Sequence, residues 1–346
     1  MPSIYEKRAG FFPIEYPQFW DLWEESERAH WVYNDVPLLY DLNDYKTMHP
    51  KLSQLIHDTL LLFTQSDSDV CDEYIDRYAQ MFSAKPELRM LLASIAAREA
   101  VHQAAYSILN KTLGLPDSDM ELYKTIPAMK AKHEYNKSMP WLNANIKDPV
   151  SQYKEIAALS SFVEGFSLFS SFAILISFAK PEVNKMRGVK TIVQYSIIDE
   201  RLHFNAMQEL AKVIRKENPE EDWELVDDEL IELAHGVLKR EFDFVDYLFR
   251  DFTEADRFHI DANQVKCYLG QVMNNRLSDL SLGVKCNDWA EVGDIDINSN
   301  TELNDLITTI LGASVTNFFE QRATQYTKGL NMGNAHKLEY PKLYGV

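Results

Sequence analysis

Glu99, His102 and Tyr106 stand at i, i+3 and i+7, so on a helix turning about 100° per residue a carboxylate, an imidazole and a phenol share one stripe. The flanks, Met90 to Ile95 and Ile108 to Leu113, are apolar enough to put that helix inside the protein. Charged groups there must be paired or bound to metal. The same Glu-x-x-His spacing returns at Glu200 and His203, again between apolar flanks. Asp67 and Glu164 supply two more carboxylates on other helical stretches. Four carboxylates and two imidazoles form a hard-to-borderline donor set, suited to iron or manganese rather than to thiolate zinc or copper chemistry.

Spacing alone proves little, because Glu-x-x-His also occurs at Glu27/His30 and Glu232/His235. Both of those lie among charged residues and read as exposed i, i+3 pairs on solvated helix faces. The helices that must position the other two pairs can be traced along the chain. Residues 1–18 read as an extended arm, with Pro13 and Pro17 opposing helix. Helical spacing runs over Phe19 to Trp31, then from His49-Pro50 to Asp67, with a polar helix following to Phe82. Pro86 opens the helix of Glu99, and Gly114-Leu115-Pro116 ends it. Val189–Val213, 222–250, Thr253–Asn275 and Glu302–Tyr326 complete the set, the last two separated by a loop near 287–301. No stretch alternates with period 2 long enough for a sheet, so the expected fold class is all-α.

Ile156 to Ala179 carries a single charge, Glu164, in apolar sequence long enough to cross a membrane. Its serines, Gly165 and the amphipathic helices on either side argue instead for a central buried helix and no membrane span. A metal is the most economical reason to bury its one carboxylate.

The chain has 346 residues, 46% of them hydrophobic and 25% charged, with no linker-like or repetitive tract. One helical domain is expected over residues 1–325, with a C-terminal tail over 326–346. A net charge of −18 opposes binding to nucleic acid, whose affinity rests on Lys and Arg. Cys71, Cys267 and Cys286 are odd in number and unpaired in sequence, which fits a reducing cytoplasm, and the N-terminus has no signal pattern.

The sequence resembles the small, radical-generating subunit of class I ribonucleotide reductase over essentially its whole length. The likeness is carried by Tyr16-Pro17, the Trp31 region, Thr64-Gln65-Ser66-Asp67, Glu99 to His102 with Tyr106, Val163-Glu164-Gly165-Phe166, Asp199-Glu200 to His203, and Asn317 to Arg322. The resemblance implies a ferritin-like helical bundle with additional helices and a dimetal site in its core. Asp67, Glu99 and His102 would hold one metal and Glu164, Glu200 and His203 the other, with Glu99 and Glu200 bridging. Asp69 and Asp72 compete with Asp67, which is preferred for its place in the motif. Two irons are the expected centre, with Mn/Mn and Mn/Fe as alternatives. Tyr106 matches the tyrosine oxidised to a radical, Phe172 the aromatic that shields it, and Trp31, Asp199 and His102 the hydrogen-bonded chain that brings an electron from the surface. Tyr326 fits a relay tyrosine, and Leu338, Tyr340, Leu343 and Tyr344 fit anchors that dock on a large catalytic subunit. A homodimer is expected, and a flavoprotein activator is allowed. The rival readings are a ferritin-like dimetal oxidase or monooxygenase, and a metal-storage or structural bundle. Neither accounts for Trp31, Asp199 and Tyr106 together.

Overall fold

The protein, seen as a computed structural model, is described over residues 3–138, 148–253, 255–256, 258–299, 303 and 305–308. In chain order its helices are α1 (Pro17–Arg28), α2 (Leu39–Thr47), α3 (Pro50–Glu73), the short α4 (Ala79–Met81), α5 (Pro86–Leu113), α6 (Pro127–Lys137), α7 (Pro149–Ala158), α8 (Phe169–Ser177), α9 (Arg187–Glu217), α10 (Trp223–Leu248) and α11 (Ala262–Asp279). Among the described residues there is no strand. α5 packs between α3 and α1 and also meets α9, while α9 packs along α7 and α8, so the long helices enclose one core.

Two segments depart from α-geometry by widening to i→i+5 hydrogen bonds. Tyr74–Tyr78 joins α3 to α4, and Leu159–Ser167 joins α7 toward α8. Such widening is rare and concentrates at functional sites. In the second segment a Cβ on Gly165 would lie 2.5 Å from Ser160 O and 2.9 Å from Arg276 Nε. Only a hydrogen fits there. Arg276 Nε donates to Gly165 O at 2.8 Å, and Ser167 Oγ donates to Phe162 O at 2.9 Å, so side chains take up carbonyls that the widened ladder handles poorly.

The sequence boundaries need several corrections. Pro17 is the first residue of α1 rather than a bar to it, because proline's missing N–H costs nothing at that position. The helix bearing Asp67 continues to Glu73 and through the widened turn, without a break. α11 starts at Ala262 rather than at Thr253. Asp261 caps Gln264 N at 2.9 Å, and Thr253 is bound into a separate turn by Asp256 at 2.8 Å. α2 and α6 were not foreseen. α2 has a tertiary purpose: its buried Asp41 accepts from Gly188 N at 3.1 Å and Val189 N at 2.9 Å, capping the first turn of α9. Gly188 is required by that approach, since a Cβ would fall 2.3 Å from Asp41 Oδ2. From Glu155 to Phe178 every residue is buried within the protein, as expected of a core helix. Most of Glu302–Tyr326 lies outside the described residues, as do Asn317–Arg322, Tyr326, Leu338, Tyr340, Leu343 and Tyr344.

Candidate metal centre

Asp67 from α3, Glu99 and His102 from α5, Glu164 from the widened segment, and Glu200 and His203 from α9 all point to one place in the core. All six are 2% exposed or less. Ligand-capable atoms of Asp67, Glu99, His102 and Glu200 lie within 4.8 Å of one another, and so do those of Glu99, Glu164, Glu200 and His203. Glu99 and Glu200 belong to both groups, the arrangement two ions sharing two carboxylates would need. Asp69 is turned outward instead, to Lys137 at 2.7 Å and His133 at 3.4 Å.

Asp67 Oδ2, Glu99 Oε1, His102 Nδ1, Glu164 Oε1, Glu200 Oε2 and both ring nitrogens of His203 are buried without a hydrogen-bond partner; Glu99 Oε1 and His203 Nδ1 lie 2.8 Å apart but are not aligned for a hydrogen bond. Buried polar atoms are almost always paired, so orphans on all six residues at one point require a common partner. Four carboxylates and two neutral imidazoles balance two divalent cations. A dinuclear metal centre therefore fits the residues present.

Electrostatics describe the same need. Burial pushes the Asp67 and Glu164 carboxyls well above the ordinary range, and the neighbouring Glu99 and Glu200 add to it. Burial works on Glu99 as well, but His102 and His203 outweigh it and hold that carboxyl at about 2. Against the desolvation that disfavours imidazolium, the surrounding carboxylates push His203 up to about 10 and His102 well above its usual value. Protonated imidazoles thus supply the positive charge that metal ions would replace.

Asp199 Oδ2 accepts from Trp31 Nε1 at 2.7 Å and from His102 Nε2 at 3.0 Å. With a metal bound, a proton held on Nε2 would leave the Nδ1 lone pair free on the side that faces Glu99 and Glu200, each 3.5 Å away. This is how an outer carboxylate sets the tautomer of a metal-binding histidine. Trp31 is buried at 2% exposure, and its ring lies 5.9 Å from His102 and 5.2 Å from Tyr195. Tyr106 is fully buried, and its hydroxyl lies 3.0 Å from Ser196 Oγ. Phe63 packs edge-on against Tyr106 at 4.3 Å, and Phe172 packs against Phe63 at 5.3 Å, so water is kept from the phenol by more than one ring. Of the discounted pairs, Glu27 accepts from Ser94 Oγ and His235 stacks on Trp289 at 3.6 Å, both away from the core cluster.

Three contributors escaped sequence reasoning: Phe63, Ser196 and Tyr74. The Tyr74 hydroxyl donates to Glu164 Oε2 at 3.1 Å. A signal existed for Tyr74, which follows Asp67 by seven residues just as Tyr106 follows Glu99.

The family described as ribonucleotide reductase, small chain, matches residues 8–285. The viral protein named "Probable ribonucleoside-diphosphate reductase small subunit 376L", of Invertebrate iridescent virus 6, is 31% identical, over 94% of this chain and 97% of the viral protein. Among solved structures, the dimanganese(II)-NrdF of Streptococcus sanguinis matches with a TM-score of 0.70 at 20% identity, covering 89% of this chain and 100% of that one. An R2-like ligand-binding oxidase with aerobically reconstituted Mn/Fe cofactor matches at 0.67 and 18% identity, over 79% of this chain and 97% of that one. At such identities the two structures share the fold, and their ligands are their own.

Proposed function

The chain belongs to the ribonucleotide reductase small-chain family, and from that premise we propose that it keeps one oxidising equivalent on Tyr106 for use by a large catalytic subunit. Asp67, Glu99 and His102 would hold one metal ion and Glu164, Glu200 and His203 the other, with Glu99 and Glu200 shared. When bound, such a pair supplies the redox chemistry with dioxygen that a protein side chain cannot perform.

The remaining work belongs to the chain's own residues. Asp199 fixes the His102 ring and ties it to Trp31, a continuous hydrogen-bonded route along which an electron could reach the centre. Tyr106 can keep an unpaired electron because its surroundings are dry and aromatic, and its hydroxyl shares a hydrogen bond with Ser196 Oγ. The observation that carries the reading is the convergence of orphaned ligand atoms on all six side chains. Iron remains the expected metal, and the Mn/Mn and Mn/Fe centres named for the structural neighbours suit the same donors.

The tail after residue 325 is proposed to dock on the large subunit through Leu338, Tyr340, Leu343 and Tyr344, with Tyr326 as the relay. Its polar, glycine-containing sequence supports a segment that orders on a partner. A homodimer, a flavoprotein activator and a cytoplasmic location complete the proposal. Sedimentation of the purified chain, and activation with and without a reduced flavoprotein, test the first two.

Metal analysis and electron paramagnetic resonance after aerobic reconstitution test the core claim. Two ions per chain and a tyrosyl signal are expected, with the signal lost and the ions kept in Tyr106→Phe. A signal that survives in Tyr106→Phe, or two ions kept in each of Glu164→Ala, Glu200→Ala and His203→Ala, would refute the assignment.

A further inference from the structure

We propose that Tyr74 is a positioning residue for the metal pair, its phenol holding one oxygen of Glu164 so that only the other turns to the ions. The inference rests on the dimetal reading above and deepens it. Tyr74 is 1% exposed, and its hydroxyl donates to Glu164 Oε2 at 3.1 Å, while Glu164 Oε1 has no hydrogen-bond partner. The two oxygens of one carboxylate are thereby made unequal.

Both partners sit in irregular backbone. Tyr74 begins the widened turn Tyr74–Tyr78, and Glu164 lies inside Leu159–Ser167. Each departure from α-geometry re-aims a side chain, and here the two re-aimed side chains meet. The Tyr74 ring is set by edge-on packing on Tyr78 at 5.3 Å and by the His203 ring at 6.4 Å, so the phenol touches the surroundings of a second ligand in the same group.

A carboxylate with both oxygens free can chelate one ion or swing to bridge two. A donor on Oε2 lowers that oxygen's basicity and fixes the carboxylate's rotation, which favours end-on binding through Oε1. Outer partners of this kind are commonly reflected in metal affinity by about 10–100-fold. A tyrosine that merely found a partner for its own hydroxyl would alter thermal stability and nothing at the metals.

Anaerobic titration with Mn(II), followed by electron paramagnetic resonance, separates these cases, with circular dichroism as the check on folding. In Tyr74→Phe one ion should bind as in the parent. The other should bind about 10–100-fold more weakly, with an altered spectrum for the bound pair. In a Glu164→Gln background, Tyr74→Phe should add little, because the carboxylate it acts through is gone. Tyr78→Phe, which removes a neighbouring phenol of the same size, should leave the titration unchanged. Unchanged affinity and spectrum in Tyr74→Phe, or an equally large loss from Tyr74→Phe in the Glu164→Gln background, would overturn the inference while leaving the dimetal reading intact. A parent chain that takes up fewer than two ions would overturn both.

Discussion

Asp199→Asn tests the shared acceptor at the edge of the site. In the native protein one oxygen, Oδ2, receives both Trp31 Nε1 at 2.7 Å and His102 Nε2 at 3.0 Å. Hydrogen bonds to a charged group contribute about 1.5–3 kcal/mol, against about 0.5–1.5 for neutral pairs. Neutralising the acceptor therefore removes about 1 kcal/mol from each bond, or about 2 kcal/mol in all. In a chain of this size that lowers the midpoint of thermal unfolding by a few degrees. The metal effect is larger in kind. If the amide nitrogen turns toward His102, the ring must carry its proton on Nδ1, the atom that faces Glu99 and Glu200. It then cannot ligate without losing that proton. If the amide oxygen keeps the place of Oδ2, the ring is oriented but made less basic. Either way affinity for the ion on His102 should fall by about 10–100-fold, which is about 1.4–2.8 kcal/mol. Mn(II) titration and thermal unfolding of the same preparation measure both effects. If Asp199→Asn bound two ions as tightly as the parent, packing alone would orient His102 and the shared-acceptor argument would fail.

Gly165→Ala should destabilise the protein by at least about 1–3 kcal/mol, because the new methyl meets Ser160 O and Arg276 at once; an unchanged denaturation midpoint would show that the widened segment does not depend on glycine. His259, beside Ser177 and Lys180, is held down at about 4, first by burial and then by Lys180. Since the unfolded chain takes up this proton first, near pH 6.5, native stability should fall as pH drops from about 6.5 toward about 4. His259→Phe should flatten that slope in denaturant titrations across this range, and an identical slope would exclude His259 as the cause. In the tail, Tyr326→Phe should abolish turnover with metals and radical intact, whereas deletion from Leu338 onward should weaken binding to the large subunit; normal turnover in Tyr326→Phe would remove the relay from that position.

Much of the candidate centre could be read from local spacing, because α5 and α9 each carry two candidate ligands at an offset that one turn brings together. Glu99 with His102 and Glu200 with His203 are i, i+3 pairs, and apolar flanks mark them as buried, so their chemistry is set within each helix before any tertiary contact forms. The lone charge of Glu164 in the most apolar stretch of the chain carried the same message. What spacing cannot encode is which side chains from different helices meet. Asp41 capping α9 from α2, Ser196 meeting Tyr106, and Phe63 standing between Tyr106 and Phe172 depend on how helices pack, and packing is written in no single helix. The two widened turns are of this kind too. No helical periodicity predicts them, and the second arises where Arg276, Ser167 and the tight quarters around Gly165 stabilise a backbone that an isolated helix would not adopt. They bring Tyr74 within 3.1 Å of Glu164, although 90 residues separate the two in sequence, because burial leaves each of those polar atoms no water to turn to.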